Sequence, residues 1–141
     1  MTVIQTLEQR RARHAWESVQ MAKTLPSAGD YSREAKRLPI QIMTAGLGHA
    51  IAFLDAKGGA GKEVADNVAF WVLELLKRTS EKRSHGEKPA QKNQARELLK
   101  KIIENDSDWL RRSTEESISY LKWLSRIAEI ELKDENPAQE L

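Results

Sequence analysis

A lysine- and glycine-rich segment is the part of the sequence closest to a catalytic motif. It reads Lys57-Gly58-Gly59-Ala60-Gly61-Lys62, similar to a phosphate-binding loop. Such a loop needs a Ser or Thr after its last lysine to hold magnesium, and a strand that leads into it. Here Glu63 follows the lysine, and the preceding residues predict a helix. We interpret the segment as a connection between helices, and a nucleotide-dependent enzyme remains an alternative that magnesium-ATP binding would test.

The other residue types used in catalysis are dispersed along the chain. His14, His49 and His85 belong to three different predicted elements, and cysteine is absent. We expect His49 to be a hydrogen-bonded core or interface residue, because its neighbours are apolar. Paired carboxylates such as Glu115 and Glu116 suit helix caps or an exposed helix face. The spacing therefore predicts no catalytic residue, no metal site and no cofactor.

Basic residues carry the functional signal. Residues 1–101 contain 18 Lys/Arg and 11 Asp/Glu, a net charge of +7, whereas residues 102–141 contain 5 and 10, a net charge of −5. A charge distribution this uneven can attract a polyanion to one side of a protein whose total net charge is close to zero. Because no aromatic residues are interleaved as a base-stacking platform, we expect sequence-independent contact with a phosphate backbone. The candidate contacts are Arg10, Arg11, Arg13, Lys36, Arg37, Arg111, Arg112, Lys122 and Arg126.

The elements that must position these residues are all predicted to be helices. Apolar residues recur with helical spacing, and no alternating segment indicates a strand. We predict one all-α domain spanning residues 1–141, a compact bundle of about six helices with an acidic, frayed tail at 133–141. The predicted helices cover approximately residues 2–25, 31–38, 40–56, 62–78, 89–105 and 109–132. Pro39 is expected to break or kink the chain, because it lacks an amide hydrogen.

The segment from residue 40 to residue 56 is apolar around almost its whole circumference, which is typical of a helix buried on several sides. Gly46 and Gly48 lie at its centre and would let another helix approach closely. Trp109, at a predicted helix start beside two arginines, can anchor a protein interface. We therefore name Gly46, Gly48 and Trp109 as interface candidates.

Composition limits the environment of the chain. No apolar run reaches the ~18 residues of a membrane span, and the N-terminal residues do not have the pattern of a signal peptide. The absence of cysteine fits a reducing cytoplasm. We expect a cytoplasmic protein without a membrane partner.

Several segments together resemble the small helical subunit of the type III-B CRISPR effector, the Cmr complex. In the N-terminal helix, residues 9–16 read Gln-Arg-Arg-Ala-Arg-His-Ala-Trp. The central segments are Tyr31 with Ala35 and Leu38-Pro39, then residues 46–54, Gly-Leu-Gly-His-Ala-Ile-Ala-Phe-Leu. Near the C-terminus, residues 114–126 contain Tyr-Leu-Lys-Trp-Leu-Ser-Arg. The order of these segments agrees with the family, whereas residues 79–101 add nothing to the resemblance.

The resemblance implies a non-catalytic architectural subunit of an antiviral, RNA-guided complex. Its partners would be other Cmr subunits, copies of itself, the CRISPR RNA and the target RNA. Arg10, Arg11 and Arg13 match the basic N-terminal helix of the family, and Lys122 and Arg126 match its C-terminal helix. The alternative is a helical adaptor that binds proteins through Trp109 and the glycine groove without touching nucleic acid.

Overall fold

The computed structural model describes residues 4–77 and 92–132. These residues form six helices and no strand, which confirms the predicted all-α class. The helices are α1 (Leu7–Ala22), α2 (Ala28–Ala45), α3 (Leu47–Lys57), α4 (Gly59–Leu76), α5 (Gln94–Glu104) and α6 (Ser107–Glu131). The predicted loop at 79–88, the helix start at Pro89 and the acidic tail at 133–141 lie outside the described residues.

Helix starts are set by short polar side chains at two of the six helices. The Thr6 hydroxyl accepts a hydrogen bond from the Gln9 amide while the Gln9 side chain accepts one from the Thr6 amide, which is a capping box. At α6, the Asp106 carboxylate accepts a hydrogen bond from the Trp109 amide. Each cap satisfies amide groups that have no partner inside the helix, so α1 and α6 begin where their sequences place these residues.

The predicted break at Pro39 is wrong. Pro39 lies inside α2, which continues to Ala45. The chain turns instead at Gly46, whose φ of 91° and ψ of 156° fall in a region that is essentially restricted to glycine. The single helix expected over residues 40–56 is therefore divided between α2 and α3, because the backbone conformation at Gly46 interrupts it more strongly than the missing amide hydrogen of Pro39.

The predicted connection at 57–61 is shorter than expected. Gly58 alone separates α3 from α4, and its φ is 74°. Gly59, Ala60 and Gly61 already belong to the first turn of α4. Because so short a link forces a sharp reversal, α3 and α4 pack against each other.

Helix α6 organises the bundle. It packs against α1, α2 and α4, whereas α5 packs against α3 and α4 on the other side of α4. Its fully buried residues Tyr120, Leu121 and Leu124 join a core that also contains Tyr31 and Leu38 of α2. This arrangement leaves one face of α6 exposed between α1 and α2.

Several apolar residues predicted to lie inside are exposed. Helical spacing predicts that Ile4 and Trp16 lie on the inner stripe of the N-terminal helix, but Trp16 is 48% exposed and Ile4 is 90% exposed. On the segment expected to be buried on several sides, Ile40, Met43 and Phe53 are 70%, 78% and 58% exposed. That prediction is therefore wrong, because α2 and α3 are surface helices whose outer faces happen to be apolar.

Candidate nucleic-acid interface

Arg11 belongs to a partly buried network that joins three helices. Its guanidinium donates two hydrogen bonds to the Glu116 carboxylate, at 2.6 and 2.7 Å, so the pair is bidentate. Trp71 Nε1 of α4 donates a hydrogen bond to the same carboxylate at 2.8 Å. Only 13% of the Arg11 side chain is exposed. The sequence places Arg11 among the phosphate contacts, whereas the geometry gives its charge a partner inside the protein, so we leave it out of the proposed surface.

His14 lies next to this network in an aromatic cluster. Its Nδ1 shares a hydrogen bond of 2.7 Å with the hydroxyl of Tyr120, which is 3.2 Å from the hydroxyl of Ser18. The imidazole stacks on Phe70 with 5.4 Å between ring centroids and lies 5.5 Å from Trp71. Burial lowers the pKa of His14, because the charged ring loses water, and Glu17 opposes that shift only in part.

Arg10 and Arg13 line an open depression on the outer side of α1. The depression is also lined by Gln5, His14, Glu17 and Trp71. Arg10 is exposed and forms no ion pair with the described residues, and Arg13 is 70% exposed with only a 3.5 Å contact to Glu17. The fold therefore brings two accessible guanidinium groups beside the half-buried His14.

A second group of cations lies across α6 and α2. Lys36 of α2 and Arg126 of α6 each lie 3.8 Å from the same carboxylate, that of Glu129. Lys122 is one helical turn before Arg126 and is exposed, because residues four apart share a face of a helix. Arg37 is exposed, and neither it nor Lys122 forms an ion pair with the described residues. Lys36, Lys122 and Arg126 are therefore neighbours. Glu129 lies between Lys36 and Arg126, and Lys122 shares a face of α6 with Arg126.

The two remaining basic candidates sit at the N-terminal half of α6. Arg111 donates hydrogen bonds to Asp108 at 2.8 Å and to Glu115 at 3.1 Å, and this pairing lowers the pKa of Asp108. Arg112 is half-buried and forms no ion pair with the described residues. Arg111 is therefore locally neutralised, whereas Arg112 keeps an unpaired charge.

The interface candidates have different surroundings. A Cβ atom on Gly46 would have no neighbour within 4 Å, whereas one on Gly48 would lie 3.9 Å from Ile102 and 4.0 Å from Leu99. The helix that approaches Gly48 is thus α5 of the same chain. Trp109 is half-buried against the core. Gly48 therefore lies at ordinary contact distance from α5 inside the subunit, while Gly46 is open.

The glycine-rich segment contains no free phosphate-binding lysine. Lys62 Nζ lies 2.8 Å from Asp55 and 3.5 Å from Asp66, and Asp55 is the main cause of its raised pKa. Asp66 in turn accepts a hydrogen bond from the Ala95 amide at the start of α5. The lysine therefore ties α3 to α4 beside the start of α5, which agrees with interpreting the segment as a connection.

Residues 4–77 and 92–132 contain no cluster of three or more His, Asp or Glu side chains suited to a metal ion. Within the same ranges, none of the helices has the length and hydropathy needed to span a membrane. His49 is exposed, so the expected core position is wrong, whereas a position at an interface stays a prediction. Its position on α3 faces away from Leu47, Ala50 and Ile51, which fill the core.

Comparison with known proteins agrees with the all-helical fold. A family model described as CRISPR-associated protein (Cas_Cmr5) matches residues 7–131. The chain belongs to the Cmr5 family. A crystal structure of a CRISPR-associated Cmr5 family protein from Thermus thermophilus superimposes with a TM-score of 0.71 at 26% sequence identity, over 92% of this chain and 100% of that one.

Membership in this family identifies the protein as a small subunit of a CRISPR effector complex, with other Cmr subunits as its partners. The resemblance found in the sequence is thereby confirmed. The matched range runs from the first residue of α1 to the last of α6. It includes all nine basic candidates, so the two cation groups described above are parts of the family domain.

Sequence reasoning named His14 but did not include it among the candidate site residues. Its position beside Arg10 and Arg13 arises because α4 supplies Trp71 and α6 supplies Tyr120 around it. The sequence does contain a signal for this site, because Arg10, Arg13 and His14 lie within about one turn of the same helix.

Proposed function

We propose that this protein is a non-catalytic architectural subunit that contacts the backbone of the guide–target RNA duplex and stacks on copies of itself. Seven of the nine basic candidates support the RNA contact: none of them has an ion pair closer than 3.5 Å within the described residues. A cation whose charge is not already neutralised can replace the counterions of a phosphate backbone. The seven are Arg10, Arg13, Lys36, Arg37, Arg112, Lys122 and Arg126.

Exposed apolar residues around the α2–α3 corner support the proposed stacking. The close approach of Gly48 to Ile102 puts this corner beside the C-terminal end of α5. Met43 lies three residues before Gly46, and Ile103 follows Ile102; the two side chains are 78% and 81% exposed. Large apolar side chains exposed together are a common mark of protein interfaces.

The RNA contact is tested by charge reversal in a reconstituted effector complex. We expect Arg10→Glu with Arg13→Glu to weaken target-RNA binding about tenfold and to reduce the salt slope by about 2, because two phosphate contacts are lost. Lys122→Glu with Arg126→Glu should act in the same direction. Fluorescence anisotropy across a salt series measures both quantities.

The matched control is Arg96→Glu with Lys100→Glu on α5. Both residues are exposed, their spacing equals that of Lys122 and Arg126, and the change in net charge is the same. Helix α5 packs mainly on α3 and α4. If all three double variants bind RNA equally, the cation groups do not touch RNA; salt-insensitive assembly with protein subunits alone would favour the adaptor alternative.

A further inference from the structure

The depression beside α1 has the chemistry of a site for a single phosphate group. Arg10 and Arg13 supply two guanidinium groups, which suit phosphate oxygens because their N–H donors are arranged in a planar fork. Neither guanidinium has a close partner: Arg10 forms no ion pair with the described residues, and the Glu17 contact of Arg13 is 3.5 Å long. An arriving phosphate would therefore displace at most one weak contact.

His14 adds a third donor with a fixed orientation. Its Nδ1 is occupied by Tyr120, and the ring is packed against Phe70 and Trp71. Nε2 forms no hydrogen bond with the described residues, so it is the ring nitrogen left for a ligand. The tyrosine hydroxyl occupies Nδ1 and the aromatic rings hold the imidazole in one orientation. Nε2 is therefore the nitrogen that takes up a proton, and it then donates a hydrogen bond to the phosphate.

We propose that Arg10, Arg13 and His14 form a pocket for one phosphodiester of the bound RNA, and that His14 takes up a proton when the phosphate enters. This inference rests on the proposed RNA contact. It adds a specific phosphate subsite and the uptake of a proton by His14 on binding. A phosphate near an imidazole stabilises the charged ring, because opposite charges favour the ionised form. RNA binding and protonation of His14 then promote each other, as linked equilibria must.

The charged and titratable groups that face His14 come from two helices. On α1 they are Arg10, Arg13 and Glu17, and on α6 the contact is Tyr120. The residues of α4 that touch the ring, Phe70 and Trp71, carry no charge. In the free protein burial opposes protonation of His14 and Glu17 favours it. A phosphate bound in the depression adds a negative charge beside the ring, which favours the protonated form.

Nuclear magnetic resonance titration of the full chain tests the pocket, with and without a saturating short RNA duplex. We expect the RNA to raise the pKa of His14 by about one unit. Saturation is established separately by anisotropy of labelled RNA. In Arg10→Gln with Arg13→Gln, the His14 shift should disappear, whereas Lys122→Gln with Arg126→Gln at saturating RNA should keep it.

Three results would overturn the inference in different ways. If RNA saturates the protein and the pKa of His14 does not change, the pocket is wrong while the proposed RNA contact stands. If RNA does not bind at all, the proposed function fails and the pocket with it. If inorganic phosphate alone produces the full shift at millimolar concentration, the site takes a free anion and not a backbone phosphodiester.

The affinity of the RNA provides a second readout. From pH 7.5 to pH 6 the wild-type affinity should rise about threefold more than that of His14→Gln, because only the wild type gains a proton on binding. A merely structural role for His14 would change affinity equally at both pH values. Equal pH responses would therefore contradict the coupling even if the variant folds normally.

Discussion

At the scale of single residues, the partner of a side chain decides its role. Arg10 and Arg11 are adjacent in the sequence, yet Arg11 faces Glu116 while Arg10 faces solvent. The reason is the rotation of an α-helix, about 100° per residue, which directs neighbouring side chains to different sides of the axis. One arginine thus stabilises the fold and the other remains available to a ligand.

Removal of the Glu116 charge should destabilise the folded protein. Glu116→Gln removes the bidentate carboxylate partner of Arg11 and leaves only the exposed carboxylate of Glu8, and we expect the free energy of unfolding to fall by about 2 kcal/mol. Urea denaturation followed by circular dichroism measures the change. Lys100→Ala, which removes an exposed cation 3.7 Å from Glu97, should cost less than about 0.5 kcal/mol. Equal costs for the two variants would contradict a stabilising role for the network.

The shifted pKa of His14 predicts a pH dependence of stability. Burial lowers the pKa of His14 in the folded state below the ordinary value of 6.5, so the unfolded chain binds this proton more readily. Stability should therefore decline as the pH falls through about 6.5 and level off below the pKa of the folded state. His14→Gln should lack this component when thermal midpoints are compared between pH 7.5 and pH 5.5. An identical pH response in both proteins would exclude His14 as its source.

At the scale of elements, two glycines two residues apart do different things. Gly46 ends α2 with a φ of 91° and an open surface, whereas Gly48 lies in the first turn of α3 at ordinary contact distance from α5. The conformation of Gly46 is therefore what separates the two helices. Gly48 has room for a methyl group, so close packing does not require a glycine there.

Alanine at these two positions should have opposite effects on stability. Gly46→Ala is expected to lower the free energy of unfolding by about 1–3 kcal/mol, because its backbone conformation is strained for any residue with a Cβ. Gly48→Ala should raise it by about 0.5–1 kcal/mol through helix propensity. Chemical denaturation of both variants tests the pair. Destabilisation by Gly48→Ala would mean that α5 packs more tightly on α3 than the contact distances indicate.

At the scale of the whole molecule, the cations and the exposed apolar residues occupy different regions. The cation groups lie along α1, α6 and the middle of α2, while Met43 and Ile103 lie at the α2–α3 corner and the end of α5. A subunit arranged in this way can contact RNA along one surface and a neighbouring copy at another without competition between the two.

The proposed stacking predicts concentration-dependent association of the full chain. Met43→Glu with Ile103→Glu should abolish it, since a charge at each position would have to be buried against the next copy. Sedimentation velocity over a concentration series provides the measurement. The matched control is Met21→Glu with Ile130→Glu, which alters residues that are 72% and 63% exposed near the other end of α6, a helix about 37 Å long. If the control variant loses association and the first variant does not, the stacking surface is elsewhere.

The sequence by itself determined the all-helical class, the approximate position of most helices and the family, because these depend on apolar spacing and on short segments in a fixed order. The exposed cations of α1 could also be predicted, since Arg10 and Arg13 lie off the apolar stripe. The sequence could not show that the chain turns at Gly46 and not at Pro39, because a backbone conformation depends on what packs on either side of it.

Only the tertiary structure decided which charges are free. Arg11 is paired because α6 places Glu116 opposite it, 105 residues away in the sequence, and Lys62 is paired because α3 and α4 fold back on each other at Gly58. The ring of His14 likewise lies beside Trp71 and Tyr120 because α4 and α6 pack near α1. Contacts between side chains of different helices leave no local pattern in the sequence, whereas the periodicity of a single helix does.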